Sequence, residues 1–315
     1  MIGYATRRLL LLAPVLLGVA AVAFVLSYLL PGDPARALAG ERYREEDLAR
    51  IRHELKLDRP LPVQFGSFVG RLVRGDLGTS FATGRPVAQE LAERFPRTLL
   101  LATASMGLAT FLGIALGVAA LIARGRFADR LSMLLALGGI STPVFVSAIL
   151  LLWLFALRLR WVPPSGYVDL DPRTLILPAV TLGVRSAAVI ARMTRASLLD
   201  VLGADYVRTS RAKGLREGAV VGRHALRNAL VPVITLIGLD FGSYLSGSVL
   251  TESIFAWPGV GQYALQAILR RDFPAIQGTV LFLSVVFVLA NLAVDLAYGW
   301  LDPRIRHRLA ARRSA

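Results

Sequence analysis

Long apolar runs separated by short polar stretches organise the 315-residue chain, with windows of about 20 mostly apolar residues at 9–30, 99–123, 131–157, 175–196, 230–251 and 277–301. Each is long enough to cross ~30 Å of hydrocarbon as a helix. Because the runs are continuous and do not alternate apolar with polar, they predict helices and exclude a transmembrane barrel. The first run follows Arg7 and Arg8, and Ala37-Leu38-Ala39 mimics a cleavage site. It is too long for a secretory signal, and Asp33 and Arg36 intervene, so an uncleaved helix is expected. Ser141 and Thr142 before Pro143 predict a bend in the third run.

Two polar stretches carry their own periodicity. In 31–97, Leu48, Ile51 and Leu55 share one helical face, and Phe65, Phe68, Val69, Leu72 and Val73 share another, so two short amphipathic helices are expected. The second lies between Pro62 and Gly75, Gly-Asp-Leu-Gly at 75–78 must turn, and Val87 to Phe95 leads back past Pro96. In 191–229 a short amphipathic helix opens at Tyr206 and can end at Gly214, while Pro232 is expected in the first turn of the fifth span.

Composition agrees with a membrane: 55% of residues are hydrophobic and the mean hydropathy is +0.58, too apolar for an average soluble domain. A net charge of +15 would suggest nucleic acid in a soluble protein, so the location of the basic residues decides its meaning. With the N-terminus inside, the inner segments (1–8, 124–130, 191–229, 302–315) hold 18 Arg and Lys, against 5 in the short outer loops 158–174 and 252–276. The charge therefore reads as topology and contact with anionic lipid, with both termini cytoplasmic and no nucleic-acid partner.

Catalytic chemistry is removed step by step. Cysteine is absent, which excludes disulfides, thiolate metal sites and a thiol nucleophile. Lys56 precedes Leu57 and Lys213 precedes Gly214, so no phosphate-binding loop ending Gly-Lys-Ser/Thr exists. His53, His224 and His307 fall in predicted loops or tails, leaving neither an intramembrane serine–histidine dyad nor a zinc helix. No catalytic centre and no metal site is expected.

The folded cytoplasmic loop carries a resemblance. Arg208, Thr209 and Ser210, then Gly214, then His224, Leu226 and Arg227 occupy the positions of the coupling loop of ABC-transporter permeases, whose general pattern Gly214 and Leu226 match. The form Arg-Thr-Ser-Arg-Ala-Lys-Gly-Leu at 208–215, followed by His-x-Leu-Arg-Asn-Ala-Leu-x-Pro at 224–232, resembles the dipeptide/oligopeptide/nickel permease family, specifically its B-type peptide permease subunit. Further blocks agree in order: Pro31-Gly32-Asp33-Pro34, Gly75-Asp76-Leu77-Gly78-Thr79-Ser80, Thr251 to Gly261, then Asp295, Tyr298 and Asp302-Pro303-Arg304.

The resemblance implies an all-α polytopic membrane protein of the bacterial or archaeal cytoplasmic membrane. Its six transmembrane helices would carry an extracytoplasmic cap after the first and a cytoplasmic coupling helix between the fourth and fifth. The expected organisation is a tail and first helix at 1–30, the cap at 31–97, a permease core at 98–302 that includes the coupling loop 191–229, and a basic tail at 303–315. It implies half of the translocation pathway of an ATP-driven importer of peptides or a related small solute. A second permease, two cytoplasmic ATPases and an extracytoplasmic solute-binding protein would complete the importer, with ATP and Mg used by the ATPases and no cofactor bound by this chain. Asp205, Tyr206, Arg208, Thr209, Ser210, Arg211, Ala212, Lys213, Gly214 and Leu215 would meet the ATPase.

Other residues keep two readings each. Trp257-Pro258-Gly259 fits a tight turn with an interfacial ring, or an outer gate or docking element with Glu252, itself otherwise a solvated end charge. Asn291 and Asp295, four apart, fit interhelical hydrogen bonding or solute contact. Arg185 and Asp240 are expected at similar depth in antiparallel helices, as an ion pair or as pathway charges for a zwitterionic solute. A secondary transporter would need its own ion-coupled site, often with related halves, and no internal repeat is visible. A non-conducting scaffold subunit is the remaining alternative.

Overall fold

A computed structural model describes residues 14–25, 49, 52–53, 58–123, 125, 127–169, 171–246 and 248–301, without the side chains of 128, 133, 135, 223, 224 and 295–301. Among the described residues the regular structure is helical, with one isolated bridge, Thr79 to Pro86. The helices are α1 (Pro14–Val25), α2 (Leu61–Val73), α3 (Val87–Ile122), α4 (Phe127–Ser141), α5 (Val144–Arg158), α6 (Arg173–Leu202), α7 (Asp205–Ala212), α8 (Glu217–Leu245), α9 (Val249–Ile254), α10 (Val260–Leu269) and α11 (Phe273–Leu301). The last seven residues of α5 and Val220–Ala225 of α8 are wound as π-helix.

Four of these are long and apolar enough to cross a membrane: α3, α6, α8 and α11 through Val294. The fifth candidate is the predicted third span, but it is broken: α4 and α5 meet at 106° across Thr142 and Pro143. Proline has no N–H to continue the ladder, and its ring forces the preceding residue out of the helical region, so the expected bend becomes a corner. The first predicted span is described over Pro14–Val25 alone. The face of Leu48, Ile51 and Leu55 and the tail 302–315 lie outside the described residues.

Several boundaries differ from the periodicity. Helix α3 starts at Val87, twelve positions before the apolar run, and continues through Pro96. Ala92, whose carbonyl loses its donor to that proline, is exposed. At 36 residues α3 is about 54 Å long, so its polar beginning extends past the hydrocarbon. The 191–229 segment is mostly helical extension, since α6 runs to Leu202 and α8 starts at Glu217. Pro232 consequently sits inside α8 and not in its first turn, and the helix ends at Leu245, short of 251.

The chain divides into two compact units. One comprises the described parts of Met1–Thr98, Leu245–Val249 and Pro258–Leu292. There α2 buries Phe68 and packs Phe65 and Leu72 against Ala20, Ala23 and Phe24 of α1 and Leu281 of α11, with Phe24–Phe65 ring centroids 5.4 Å apart. Val73, expected on that face, is 84% exposed. A second core joins Val87 and Leu91 of α3 to Val260, Tyr263 and Ala267 of α10 and Ala275 of α11. The predicted turn at 75–78 forms with Gly75 at φ 77° and Gly78 at φ 85°, the left-handed region that glycine enters without steric cost.

The other unit comprises Leu99–Tyr244, Leu250–Trp257 and the described part of Ala293–Ala315. Helix α6 is its axis, with fourteen buried residues. Gly113 and Gly117 of α3 let that helix reach the α6 backbone, and Met106 and Ala109 pack with Ala187, Ile190 and Val233 of α8. Lower on α6, Leu198 packs with Leu121, Ala225 and Ala229.

Candidate functional site

The segment 205–215 is built from local rules. Ala204 is extended (ψ 148°) and precedes Asp205, whose charge favours the helix N-terminus. The hydroxyls of Thr209 and Ser210 donate back to the carbonyls of Asp205 and Tyr206, at 3.0 and 2.9 Å. Helix α7 ends where Gly214 turns to φ 78° and its N–H donates to the Arg211 carbonyl at 2.9 Å. No atom lies within 4 Å of where a Cβ on Gly214 would stand, so within this chain the backbone angle, not crowding, calls for glycine.

Its attachment is firm and its outer face open. Val207 is fully buried, Asn228 Nδ2 donates to the Tyr206 hydroxyl at 2.8 Å, and Arg211 grips the Glu217 carboxylate through Nε and Nη2 at 3.1 and 2.7 Å. Gly203 and Ala204 alone separate it from α6. Asp205, Tyr206, Arg208, Thr209 and every residue from Arg211 to Leu215 are exposed, and Ser210 is half-buried. One buried valine, two side-chain links and two short connections thus join this helix to α6 and α8.

Within the spans, Arg185 and Asp240 do not form an ion pair. Asp240 instead accepts from Ser186 Oγ at 2.6 Å, Ser186 Oγ lies 2.7 Å from the Tyr244 hydroxyl, and that hydroxyl donates to the Leu182 carbonyl at 2.7 Å. The reason is angular: neighbours on a helix differ by about 100°, so Ser186, buried, turns toward α8 while Arg185 turns out and is exposed. Asn291 is half-buried on α11, and the side chain of Asp295 lies outside the described residues.

The residues expected at an outer turn are largely inward. Glu252 is fully buried on α9, not a solvated end charge, because α9 folds in against the unit that holds Phe255 and Trp257. Trp257 is 1% exposed and packs edge-on to Tyr167 at 4.8 Å, beside Leu101, Ala179 and Leu182, so it is a core ring and not an interfacial one. The left-handed residue of this turn is Ala256 at φ 49°, while Gly259 (φ −97°) precedes α10 in ordinary extended geometry. Pro258 is half-buried.

Three charged arrangements escaped the sequence reading. The Asp129 carboxylate, in the first turn of α4, receives Nε and Nη2 of Arg195 on α6, both at 2.8 Å, and the Gly125 N–H at 3.1 Å. Nothing local relates residues 66 positions apart. Buried Asp272 accepts from Ser80 Oγ at 2.5 Å and from the backbone N–H groups of Phe81, Ala82 and Ala275 at 3.1, 3.2 and 3.3 Å. Here a signal existed, since an Asp just before Phe273-Pro274 is a helix N-cap pattern. Buried Glu90 pairs with Arg94 and with Arg85, and Arg94 lies over the Tyr263 ring at 4.7 Å. Burial, with Asp272 and Glu90 nearby, pushes the Tyr263 hydroxyl up to about 12.

Comparison with known proteins places this architecture. Residues 109–307 match the family described as binding-protein-dependent transport system inner membrane component, and 1–102 match the N-terminal family of the same systems. The glutathione transport system permease protein GsiC of Salmonella typhimurium is 46% identical over 308 residues, covering 98% of this chain and 100% of that protein. Its namesake from Escherichia coli is 44% identical over the same coverage. In fold, the chain is similar to a structure of the MetNI methionine ABC transporter in an inward-facing conformation. The TM-score is 0.56 at 22% identity, over 67% of this chain and 96% of that one. With family models over most of its length and relatives nearly half identical end to end, the chain belongs to the binding-protein-dependent peptide permeases and is a membrane-spanning permease subunit of an ABC importer.

Proposed function

We propose that this chain forms half of the pathway of an ATP-driven importer for a peptide-class solute, and that α7 with Lys213, Gly214 and Leu215 seats against a cytoplasmic ATPase. The observation that carries the reading is the construction of α7: nearly every polar residue on it is exposed, yet Val207, Tyr206–Asn228 and Arg211–Glu217 fasten it to the spans. Such a helix can take a push and pass it on. The full arrangement in this reading has six spans, both termini cytoplasmic and 31–97 outside as a cap. A second permease and two ATPases that use ATP and Mg belong to it, as does an extracytoplasmic binding protein. The excess of 18 over 5 basic residues supports that orientation.

Relatives named for glutathione transport support a peptide-class solute, and so do two charged side chains in the spans. Exposed Arg185 and half-buried Asp240 offer a cation and a carboxylate to the two ends of a zwitterion, which is the chemistry of a short peptide. Positions 206, 208 and 215 changed singly to cysteine in this cysteine-free chain should crosslink to the ATPase, and Gly214→Trp should insert normally while ATP hydrolysis proceeds without import. Absence of every crosslink, or normal import by Gly214→Trp, removes the segment from the mechanism.

A further inference from the structure

A push on α7 must reach more than the helix it is joined to. Helix α6 continues through Gly203 and Ala204 into α7, and α8 is tied to it by the Asn228 and Glu217 contacts, so those two spans are connected to the coupling segment covalently and by side chains. The broken third span has no such connection along the chain. Its cytoplasmic half in the proposed topology, α4, is separated from α5 by the 106° corner at Thr142 and Pro143, so α5 does not constrain its direction as a continuous helix would.

What grips α4 at its first turn is Asp129. That carboxylate is 6% exposed and is held by the two parallel donors of Arg195, while Gly125, in the left-handed region at φ 76°, supplies a third donor from the connection before the helix. A fork of two 2.8 Å bonds fixes both distance and direction, as a single contact does not. Arg195 lies seven residues before the end of α6, about two turns from the junction with α7. Farther along, Gly139 lets α4 come close to Ala188 and Val184 of α6, so the two helices also pack there, but by apolar contact without a directional bond.

We infer that Asp129 and Arg195 are positioning residues that transmit the movement of the coupling helix to the broken third span, so that α4 swings with α6 when the ATPases close. This rests on the reading of α7 as the ATPase contact. Without the pair, α6 and α8 still follow the ATPase and α4 lags, so ATP is consumed without a completed change of access.

The test uses the whole importer, reconstituted in liposomes with its second permease, ATPases and binding protein. ATP hydrolysed per solute imported is measured for Asp129→Asn, Arg195→Gln, Arg195→Lys and the reversed double variant Asp129→Arg with Arg195→Asp, each also carrying Leu215→Cys. The neutral single variants should raise the ratio roughly fivefold or more, Arg195→Lys should fall between, and the reversed pair should return it toward the original value. A purely structural pair would lower assembly yield and leave the ratio in assembled importers unchanged, and that result overturns the inference. So does a reversed pair as uncoupled as the single variants. Should a neutral variant fail to assemble, Arg195→Lys and the reversed pair decide by the same ratio. Crosslinking through position 215 separates the two levels: a crosslink with an unchanged ratio defeats the inference alone, whereas absence of crosslinks at 206, 208 and 215 alike in the otherwise unchanged importer defeats the α7 reading and the inference with it.

Discussion

Gly117→Ala perturbs a close approach between α3 and α6. A Cβ at position 117 would stand 2.7 Å from the Ala191 carbonyl oxygen and 2.7 Å from Thr194 Cβ, with Thr194 Cγ2 at 3.0 Å. Ordinary contact begins about 0.7 Å farther out, and neither neighbour can yield alone, one being helical backbone and the other the root of a fully buried, β-branched side chain. Helices α3 and α6 must therefore separate, which also loosens the packing of Met106, Ala109, Ala187 and Ile190 one to three turns away. Overpacking of this kind costs about 1 to 3 kcal/mol, and the better helix propensity of alanine returns about 1 kcal/mol, leaving a net loss of about 0 to 2 kcal/mol. Gly113→Ala meets Ile190 Cβ at 2.6 Å on the same row, so one separation relieves both. The double variant should then lose less than the sum of the two. Unfolding of the detergent-purified chain in mixed SDS micelles measures this, with Gly107→Ala as control, because no atom lies within 4 Å of its Cβ and it should gain stability. If Gly117→Ala gained as much as Gly107→Ala, the close approach of α3 to α6 would be refuted.

The remaining expectations use the same assay. Ala256→Gly should stabilise by about 0.5 to 1 kcal/mol, since relief of the left-handed φ of 49° exceeds the added freedom of the unfolded chain; a loss would mean the turn is not left-handed. Asp272→Ala removes the acceptor of three backbone N–H groups and the Ser80 hydroxyl and should cost about 3 to 5 kcal/mol, whereas Ser80→Ala should cost about 1 to 2; equal losses would contradict the central place of the carboxylate. Arg185→Leu and Asp240→Leu should be additive in stability to within about 0.5 kcal/mol, because the charges do not meet; recovery in the double variant would restore the ion pair.

Much of this protein is written in one dimension. The bilayer demands long apolar runs and satisfied backbones, so runs at 99–123, 175–196, 230–251 and 277–301 declared helices that α3, α6, α8 and α11 contain or largely overlap. The period of Phe65, Phe68 and Leu72 declared α2, glycine marked the turns at 75–78 and 214, and Pro143 marked the break. The family was equally legible, because its blocks are contiguous strings of residues. Depth along a helix was legible too, but direction around its axis was not: Arg185 and Asp240 were candidates for a pair, and a rotation of one residue handed the contact to Ser186. Helix ends beyond the apolar runs were hidden because polar turns form helix as readily as loop once packing supports them, as at Val87 and Leu202. The burial of Glu252 and Trp257 and the joining of Asp129 to Arg195 were decided by the tertiary structure alone. Hydrophobicity and helical period are local properties that a short window carries, whereas a salt bridge across 66 residues exists only once two helices have chosen which faces to turn toward each other.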